Sequence, residues 1–383
     1  MSKRLITFLV AVLAMALFAV PAFASDSVKI AVAAPFTGAA APYGDNVKAG
    51  VQIKVDEINA AGGINGKKLE VEWMDEQCDP KEAATVAPKI VENKEILGVV
   101  GHVCSSAHLA ALPFYVRGGI VAISPTATNP SISEKNKDRA GKVWSFRNVY
   151  RDDFQGIFMA RYAKEALGLK AVGVFYENND YGIGLKDSFV NEAKKIGLKI
   201  VGEEAYVKGA QDFTPQLTKF KEAHPDGIFI AGYYGEGALI AAQAKKLGMD
   251  VVKMGADGLD NGDYIKLARA AANNTYLSVP FLQDVASPAA KAFVAKFKET
   301  YKRDADYMSV NAYDATGILA EAIAKAGPDR AKIRDYIAGI NAEHPYMGIG
   351  GKTVFDAKGD CQKPAFVKMV KDEKFVAAPK QMN

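Results

Sequence analysis

Histidine, cysteine and tryptophan are scarce in this chain of 383 residues, which holds four, three and two of them. The histidines show no His-x-x-x-His spacing and the cysteines form no closely spaced pair, so the common metal signatures are missing. No Gly-x-Ser-x-Gly motif is present, which argues against a serine hydrolase of the α/β type. Before Gly351-Lys352-Thr353, Tyr346 stands where a phosphate-binding loop needs its first glycine. We therefore expect no enzyme, no metal and no cofactor.

Charge of one sign is not in excess either. The chain has 48 lysines and arginines against 44 aspartates and glutamates, which gives a net charge of +4. These charges are interleaved without a basic block, so nucleic acid is a poor candidate partner. Hydrophobic residues make up 49% of the sequence, which is enough for two cores. The length also exceeds that of a usual single domain, so we expect two lobes.

A long hydrophobic run occurs only at the start of the chain. Lys3 and Arg4 precede an apolar stretch over residues 5–20, and Ala22-Phe23-Ala24 provides a small-x-small cleavage site. The stretch is short for a membrane anchor, which needs about 20 apolar residues. We expect residues 1–24 to be a signal peptide that is cleaved near Ala24, and the mature chain to be soluble and exported.

The same strand–loop–helix pattern occurs twice in the sequence. An apolar run at 28–34 leads through a loop ending in Tyr43-Gly44 into an amphipathic helix, and a run at 171–176 leads through Tyr181-Gly182 into another. Further loops follow each copy in matching order, each after a strand candidate, at 101–106, 124–129, 232–237 and 255–258. Open α/β sheets bind ligands at the carboxyl ends of their strands. The repetition therefore predicts two lobes that close on one small molecule.

Strands and helices alternate with short connections, which favours an α/β fold of parallel sheets covered by helices on both faces. Helices predicted at 314–325 and 329–340 return the chain to the first lobe, and strands at 353–355 and 366–371 complete the second. Crossovers are expected near Phe146, Val279 and Lys352. The predicted first lobe is 25–146 plus 280–351, and the predicted second lobe is 147–279 plus 352–383.

Two of the three cysteines follow strand candidates that are neighbours in the predicted sheet. Cys78 follows the strand at 68–73 and Cys104 follows the strand at 96–100. An oxidising compartment would let them form a disulfide, and a loop of this length is worth roughly 3–4 kcal/mol. Cys361 has no evident partner, so we expect it to stay an unpaired thiol.

Three segments resemble, in order, the signature segments of the periplasmic leucine/isoleucine/valine-binding proteins of bacterial ABC importers. They are Glu-Gln-Cys-Asp-Pro-Lys at 76–81, Gly-His-Val-Cys-Ser-Ser at 101–106 and Pro-Thr-Ala-Thr at 125–128. The resemblance spans the mature chain. It implies two Rossmann-like lobes joined by three crossover segments, with the ligand in the interlobe cleft. It also implies a monomeric periplasmic protein that delivers leucine, isoleucine or valine to a membrane permease.

The resemblance also assigns the ligand-binding residues. It puts the ligand α-carboxylate against Ser105 and Thr128, and the α-ammonium against the Thr126 carbonyl and the Thr128 hydroxyl. The pocket for the ligand side chain is assigned to Tyr43, Cys104, Ala127, Tyr181 and Tyr233. A helix opening at Ser105-Ser106 favours an anion independently. As alternatives, the serines cap the helix, the threonines bond their own backbone in a turn, and the tyrosines are ordinary surface residues.

The buried ammonium also needs a carboxylate, because an unpaired buried charge is very costly. Asp257 occupies the position where the family has glutamate, and Glu236 is a second candidate. Thr126 replaces a small residue of the family, so the preferred side chain need not be that of leucine. The same fold carrying another amino acid, an amide, urea or an aromatic acid stays an alternative. A receptor ectodomain is a further one, but it would need a membrane segment and a signalling domain after the lobes.

Overall fold

The structure is a computed structural model that describes residues 27–382. The predicted signal peptide and its cleavage site lie outside the described residues. Within residues 27–382, no helix has both the length and the apolar character needed to cross a membrane.

The described chain alternates strands and helices. The strands are β1 Ser27–Ala34, β2 Lys68–Asp75, β3 Ile96–Gly101, β4 Ala122–Ser124, β5 Ser145–Arg147, β6 Ala171–Glu177, β7 Lys199–Tyr206, β8 Gly227–Ala231, β9 Val252–Gly255, β10 Thr275–Val279, β11 Tyr346–Gly348, β12 Gly351–Thr353, β13 Phe366–Lys371 and β14 Lys374–Ala377. The α-helices are α1 Ala41–Ala60, α2 Pro80–Glu92, α3 Ser105–Gly118, α4 Ser131–Glu134, α5 Asp152–Arg161, α6 Asp180–Ile196, α7 Thr214–Glu222, α8 Tyr234–Lys246, α9 Gly262–Ala268, α10 Pro288–Tyr301, α11 Tyr307–Ala326 and α12 Arg330–Ala338.

The first sheet is entirely parallel, with strand order β2-β1-β3-β4-β5. Every residue of β3, Ile-Leu-Gly-Val-Val-Gly, is buried. Such an uninterrupted apolar strand is typical of a parallel sheet covered on both faces. Helices α11 and α1 pack against each other on this sheet, and α2 packs against α3. The predicted α/β fold is confirmed in this half of the molecule.

The second sheet has strand order β14-β13-β10-β9-β8-β6-β7. The strands from β6 to β10 are parallel, whereas β13 and β14 join antiparallel at one edge. The predicted strand at 366–371 is therefore confirmed in this sheet. The predicted strand at 353–355 is wrong, because Gly351–Thr353 instead forms a separate hairpin with Tyr346–Gly348. The glycines at 348, 350 and 351 allow this tight turn.

The chain passes between the two sheets three times. It goes from β5 in the first sheet to β6 in the second, and from β10 back to helices α10–α12, which contact α1 and β3. After the β11–β12 hairpin it enters β13 of the second sheet. The residue boundaries of the two lobes stay a prediction.

The two Tyr-Gly pairs open α1 and α6 at equivalent places, and both glycines are required by close packing. A Cβ on Gly44 would collide with the carbonyl oxygen of Pro35, and one on Gly182 with that of Glu177. Each helix can therefore start directly against the end of the strand that precedes it. This close approach brings Tyr43 and Tyr181 over the carboxyl ends of the sheets.

The predicted disulfide joins Cys78 and Cys104, whose Cα atoms are 5.4 Å apart. Cys361 is free and buried, as expected. The disulfide ties the loop after β2 to the residue that precedes α3. The start of α3 is thereby covalently fixed to a neighbouring loop of the first sheet.

Candidate ligand-binding site

A cavity with an empty volume of about 270 Å³ lies between the two sheets, at the carboxyl ends of their strands. This volume includes space that is open to solvent, so it is an upper bound on the room for a ligand. Its wall is formed by Tyr43, Val103, Cys104, Ser105, Thr126, Tyr181, Tyr233, Asp257, Gly258, Tyr307 and Met308.

Ser105 stands at the first position of α3, and its side chain is almost fully buried. Its hydroxyl oxygen accepts hydrogen bonds from Thr128 N at 3.3 Å and Asn129 N at 3.2 Å. The first intrahelical bond of α3 runs from His108 N to Cys104 O. The N–H groups before His108 therefore have no acceptor within the helix. No side chain caps them from Cys104, so this end of α3 can bind an anion.

The loop after β4 lies beside this helix end. The Thr126 hydroxyl donates to Val103 O at 2.7 Å, so it bonds the backbone of the adjacent loop. Ala127 N donates to Ser124 Oγ at 2.9 Å. Thr126 lines the cavity, whereas Ala127 and Thr128 are buried next to it and do not line it. Thr128 Oγ1 is buried without a hydrogen bond among the described residues.

Three tyrosines predicted from the sequence meet at the cavity wall. Tyr181 and Tyr233 stack with ring centroids 5.0 Å apart, and Tyr43 meets Tyr233 edge-on at 5.8 Å. Burial is the main cause that raises the pKa of all three hydroxyls well above the usual value, so they are neutral. Their rings give this wall an apolar surface with hydroxyls at its edge.

Asp257 begins a short turn after β9 and is 2% exposed. Its Oδ1 accepts from Tyr181 Oη at 2.9 Å and from Gln155 Nε2 at 3.2 Å, while its Oδ2 has no hydrogen bond among the described residues. Burial raises the pKa of this carboxyl to about 6, although the hydrogen bonds from Tyr181 and Gln155 and the nearby hydroxyl of Tyr307 lower it. Asp257 therefore presents a desolvated acceptor at the cavity wall.

The second acidic candidate lies elsewhere. Glu236, in the first turn of α8, accepts from Gly209 N at 2.7 Å and does not line the cavity. Four cavity residues were missed by sequence reasoning: Val103, Gly258, Tyr307 and Met308. The predicted helix at 314–325 in fact begins at Tyr307, after Asp306, whose side chain accepts from Ser309 N. An aspartate at the N-cap position was the available signal for this earlier start.

Hydrogen bonds cross the cleft directly on two sides of the cavity. On one side Tyr234 Oη donates to Ala39 O at 2.7 Å, and Tyr43 Oη donates to Gly258 O. On the other, Asn129 Nδ2 donates to Asp180 O at 2.6 Å. The cleft is therefore closed in this structure.

Comparisons with known proteins agree with the chemistry of the cleft residues. Residues 27–374 match the periplasmic binding protein family. A leucine-, isoleucine-, valine-, threonine- and alanine-binding protein of Pseudomonas aeruginosa is 34% identical over 92% of each chain. The leucine-binding protein LivK of Thermotoga maritima has a TM-score of 0.86 and 31% identity, covering 93% of this chain and 99% of that one.

A second solved structure carries a ligand. The branched-chain amino acid transporter substrate-binding protein LivJ of Streptococcus pneumoniae, in complex with isoleucine, has a TM-score of 0.85 and 32% identity, covering 92% and 98% of the two chains. The family match, the two sheets facing one cleft and the predicted signature segments all agree. The chain belongs to the periplasmic binding protein family.

Proposed function

We propose that this protein captures branched-chain aliphatic amino acids in the cleft and delivers them to the permease of an ABC importer. The observation that carries the proposal is the division of charge across the cavity. One wall offers a helix N-terminus with a hydroxyl, and the opposite wall offers an unpartnered carboxylate oxygen. An α-amino acid has the complementary pair of charges at neighbouring atoms.

The ligand carboxylate is assigned to the start of α3. Ser105 Oγ already accepts two backbone N–H groups, so its own O–H hydrogen remains to be donated. The free N–H groups of the first helical turn add further donors without adding a net charge. Thr128 lies beside this group in the adjacent loop, and its Oγ1, buried without a close hydrogen bond among the described residues, is assigned to the ligand ammonium.

The ligand ammonium is assigned to Asp257. Its Oδ2 is buried and lacks a hydrogen bond, which is costly unless a donor enters the cavity. An ammonium group has three donors, so it can bond Asp257 and also the carbonyl of Thr126.

The ligand side chain is assigned to the aromatic wall of Tyr43, Tyr181 and Tyr233, together with Cys104 and Ala127. Tyrosine rings present large apolar faces, and Met308 adds a flexible apolar side chain to the same cavity. This lining favours an aliphatic group over a charged one.

We infer that the protein acts as a monomer in the periplasm, that it is not an enzyme, and that its lobes comprise 25–146 plus 280–351 and 147–279 plus 352–383. A thermal-shift screen of refolded, ligand-stripped protein against the twenty amino acids and simple amides tests the ligand class. A ligand at 100 times its Kd stabilises the folded chain by about 2.7 kcal/mol. We expect leucine, isoleucine or valine to give the largest shift. No shift with any aliphatic amino acid would refute the ligand assignment.

A further inference from the structure

A second buried carboxyl lies behind Asp257. Asp152, the first residue of α5, is fully buried. Its Oδ2 forms no close hydrogen bond among residues 27–382, although the nearby hydroxyl of Thr128 lowers its pKa. A single amide bridges the two acids, since Gln155 Nε2 donates to Asp152 Oδ1 at 2.7 Å and to Asp257 Oδ1 at 3.2 Å. Gln155 is itself oriented by Ser278, whose hydroxyl donates to Gln155 Oε1 at 3.3 Å.

The arginines near Asp152 are committed to other acids. Arg147 forms an ion pair with Asp360 at 2.6 Å, and its remaining nitrogens donate to two backbone carbonyls and a serine hydroxyl. Arg151 is shared between Asp360 at 2.8 Å and Asp153 at 2.7 Å. These two arginines and two aspartates balance each other in charge. Neither arginine compensates the Asp152–Asp257 pair with a direct contact.

Lys368 is paired with another acid as well. Lys368 bonds both oxygens of Asp260, at 3.0 and 2.8 Å. The remaining groups around the pair are neutral hydroxyls or acids. The charged and titratable groups that face the pair are Arg147, Tyr150, Tyr181, Tyr233, Asp260 and Tyr307. Within residues 27–382, the closed cleft therefore holds two carboxyls that no cationic side chain contacts directly.

We propose that Asp152 is a second acidic residue of the ammonium subsite and that, with Asp257, it allows the cleft to close only on a positive charge. That charge is the ligand's ammonium, or a proton when the ligand has none. Two adjacent carboxyls in a buried site cannot both stay ionised without compensation. Burial, followed by the negative charge of Asp257, raises the pKa of Asp152 to about 8. The inference rests on the proposed function for its amino-acid ligand.

The proposal makes Asp152 a positioning and specificity residue that acts through Gln155 and Asp257. It excludes carboxylic acids of the same shape as the amino acid but without the amine. Leucine and 4-methylpentanoate, which is leucine without its amine, form the matched ligand pair. Their relative affinity reports the charge requirement, because damage to the folded cleft would weaken both ligands alike.

Calorimetric titration of both ligands at pH 8 and pH 5.5 tests the idea. We expect 4-methylpentanoate to bind the parent at least tenfold more tightly at pH 5.5, because protons then replace the missing ammonium. Leucine should change less over the same range. In Asp152→Asn, the preference for leucine over 4-methylpentanoate at pH 8 should fall at least tenfold. The control Asp153→Asn, a half-exposed neighbour paired with Arg151, should keep the parental preference.

An unchanged preference in Asp152→Asn, or an affinity for 4-methylpentanoate that is independent of pH, would overturn the inference while leaving the proposed function intact. If no branched-chain amino acid binds, the proposed function fails, and the pH dependence of 4-methylpentanoate binding then tests the Asp152–Asp257 pair by itself.

Discussion

The two lobes use the same strand–loop–helix unit at the cleft but present opposite chemistry to it. Tyr43-Gly44 and Tyr181-Gly182 open equivalent helices, and each glycine allows its helix to start against the preceding strand. The first-sheet side of the cavity carries no charged side chain, whereas the second-sheet side carries Asp257. A repeated fold unit therefore supplies the frame, and under the proposed function the loops determine which charged group of an amino acid each lobe binds.

The two poles are also held by different means. The start of α3 is anchored by the Cys78–Cys104 disulfide, and its N–H groups are fixed by the helix itself. Among the described residues, Asp257 Oδ1 is held by side-chain hydrogen bonds from Tyr181 and Gln155. The anion side is consequently insensitive to pH, while the acid side depends on protonation and on burial in the closed cleft. Under the proposed assignment, recognition of both ends of an α-amino acid needs both lobes.

The largest expected effect comes from removing the charge of the acid side. Asp257→Asn keeps the shape but leaves the ammonium with neutral acceptors, so affinity should fall by about 2–5 kcal/mol, as for truncation of one partner of a buried charge pair. This is about 30-fold to several thousand-fold in Kd. Ligand-free stability should change little, because an open cleft is hydrated. Calorimetric titration measures the Kd.

Glu236→Gln is the matched control, because Glu236 lies outside the cavity and bonds Gly209 N. It should bind the amino acid like the parent. If Asp257→Asn binds with the parental Kd and Glu236→Gln binds more weakly, the carboxylate that pairs with the ligand ammonium is Glu236, at the start of α8.

The sequence predicted most of the frame, because strand candidates bounded by short loops repeat in the same order. Phe366–Lys371 matches the predicted strand residue for residue. The strand at 353–355 was wrong, because a short apolar run carries no information on its pairing partner, and Gly351–Thr353 found a local one. The family match confirms the two-lobed fold that the signature segments implied.

The cleft residues were predictable only where a local pattern marked them. Tyr43 and Tyr181 stand in repeated Tyr-Gly pairs, and Ser105 opens a helix after a strand. Tyr307 and Met308 come from a helix of the returning chain. The first turn of that helix shows little hydrophobic periodicity from which it could be predicted. Asp152 and Gln155 reach the acid through packing across the second lobe, a long-range arrangement that no spacing in the sequence shows.

An intermediate effect is expected on the anion side. Ser105→Ala removes the hydroxyl assigned to the ligand carboxylate, and it also removes the acceptor of Thr128 N and Asn129 N. The helix N–H groups remain, so the loss should be smaller than for Asp257→Asn. Leaving one bond to a charged group unmade costs about 1–3 kcal/mol, or about 5- to 150-fold in Kd, measured by the same titration.

Ser188→Ala removes a hydroxyl that donates to Gly184 O within α6, away from the cavity, and should leave the Kd unchanged. A parental Kd for Ser105→Ala would restrict the role of that hydroxyl to holding the 128–129 backbone. The ligand carboxylate would then be bound by helix N–H groups alone. The first lobe would recognise the ligand through its backbone, and the second lobe through a side chain.

The smallest expected effect concerns a hydrogen bond between the lobes that lies away from the groups assigned to either charge of the ligand. Tyr234→Phe removes one hydrogen bond, to Ala39 O, which forms only when the cleft closes and does not touch the cavity. The net loss of a hydrogen bond is about 0.5–1.5 kcal/mol, or about 2- to 13-fold in Kd. Ligand-free Tm should not change, because water replaces Ala39 O when the cleft is open.

The control Tyr264→Phe loses a hydrogen bond to Thr275 within the second lobe, so it should lower Tm and leave the Kd unchanged. If Tyr234→Phe lowers Tm in the same way, the lobes are already in contact without ligand. Closure then adds nothing to the selectivity for a ligand that carries both charges.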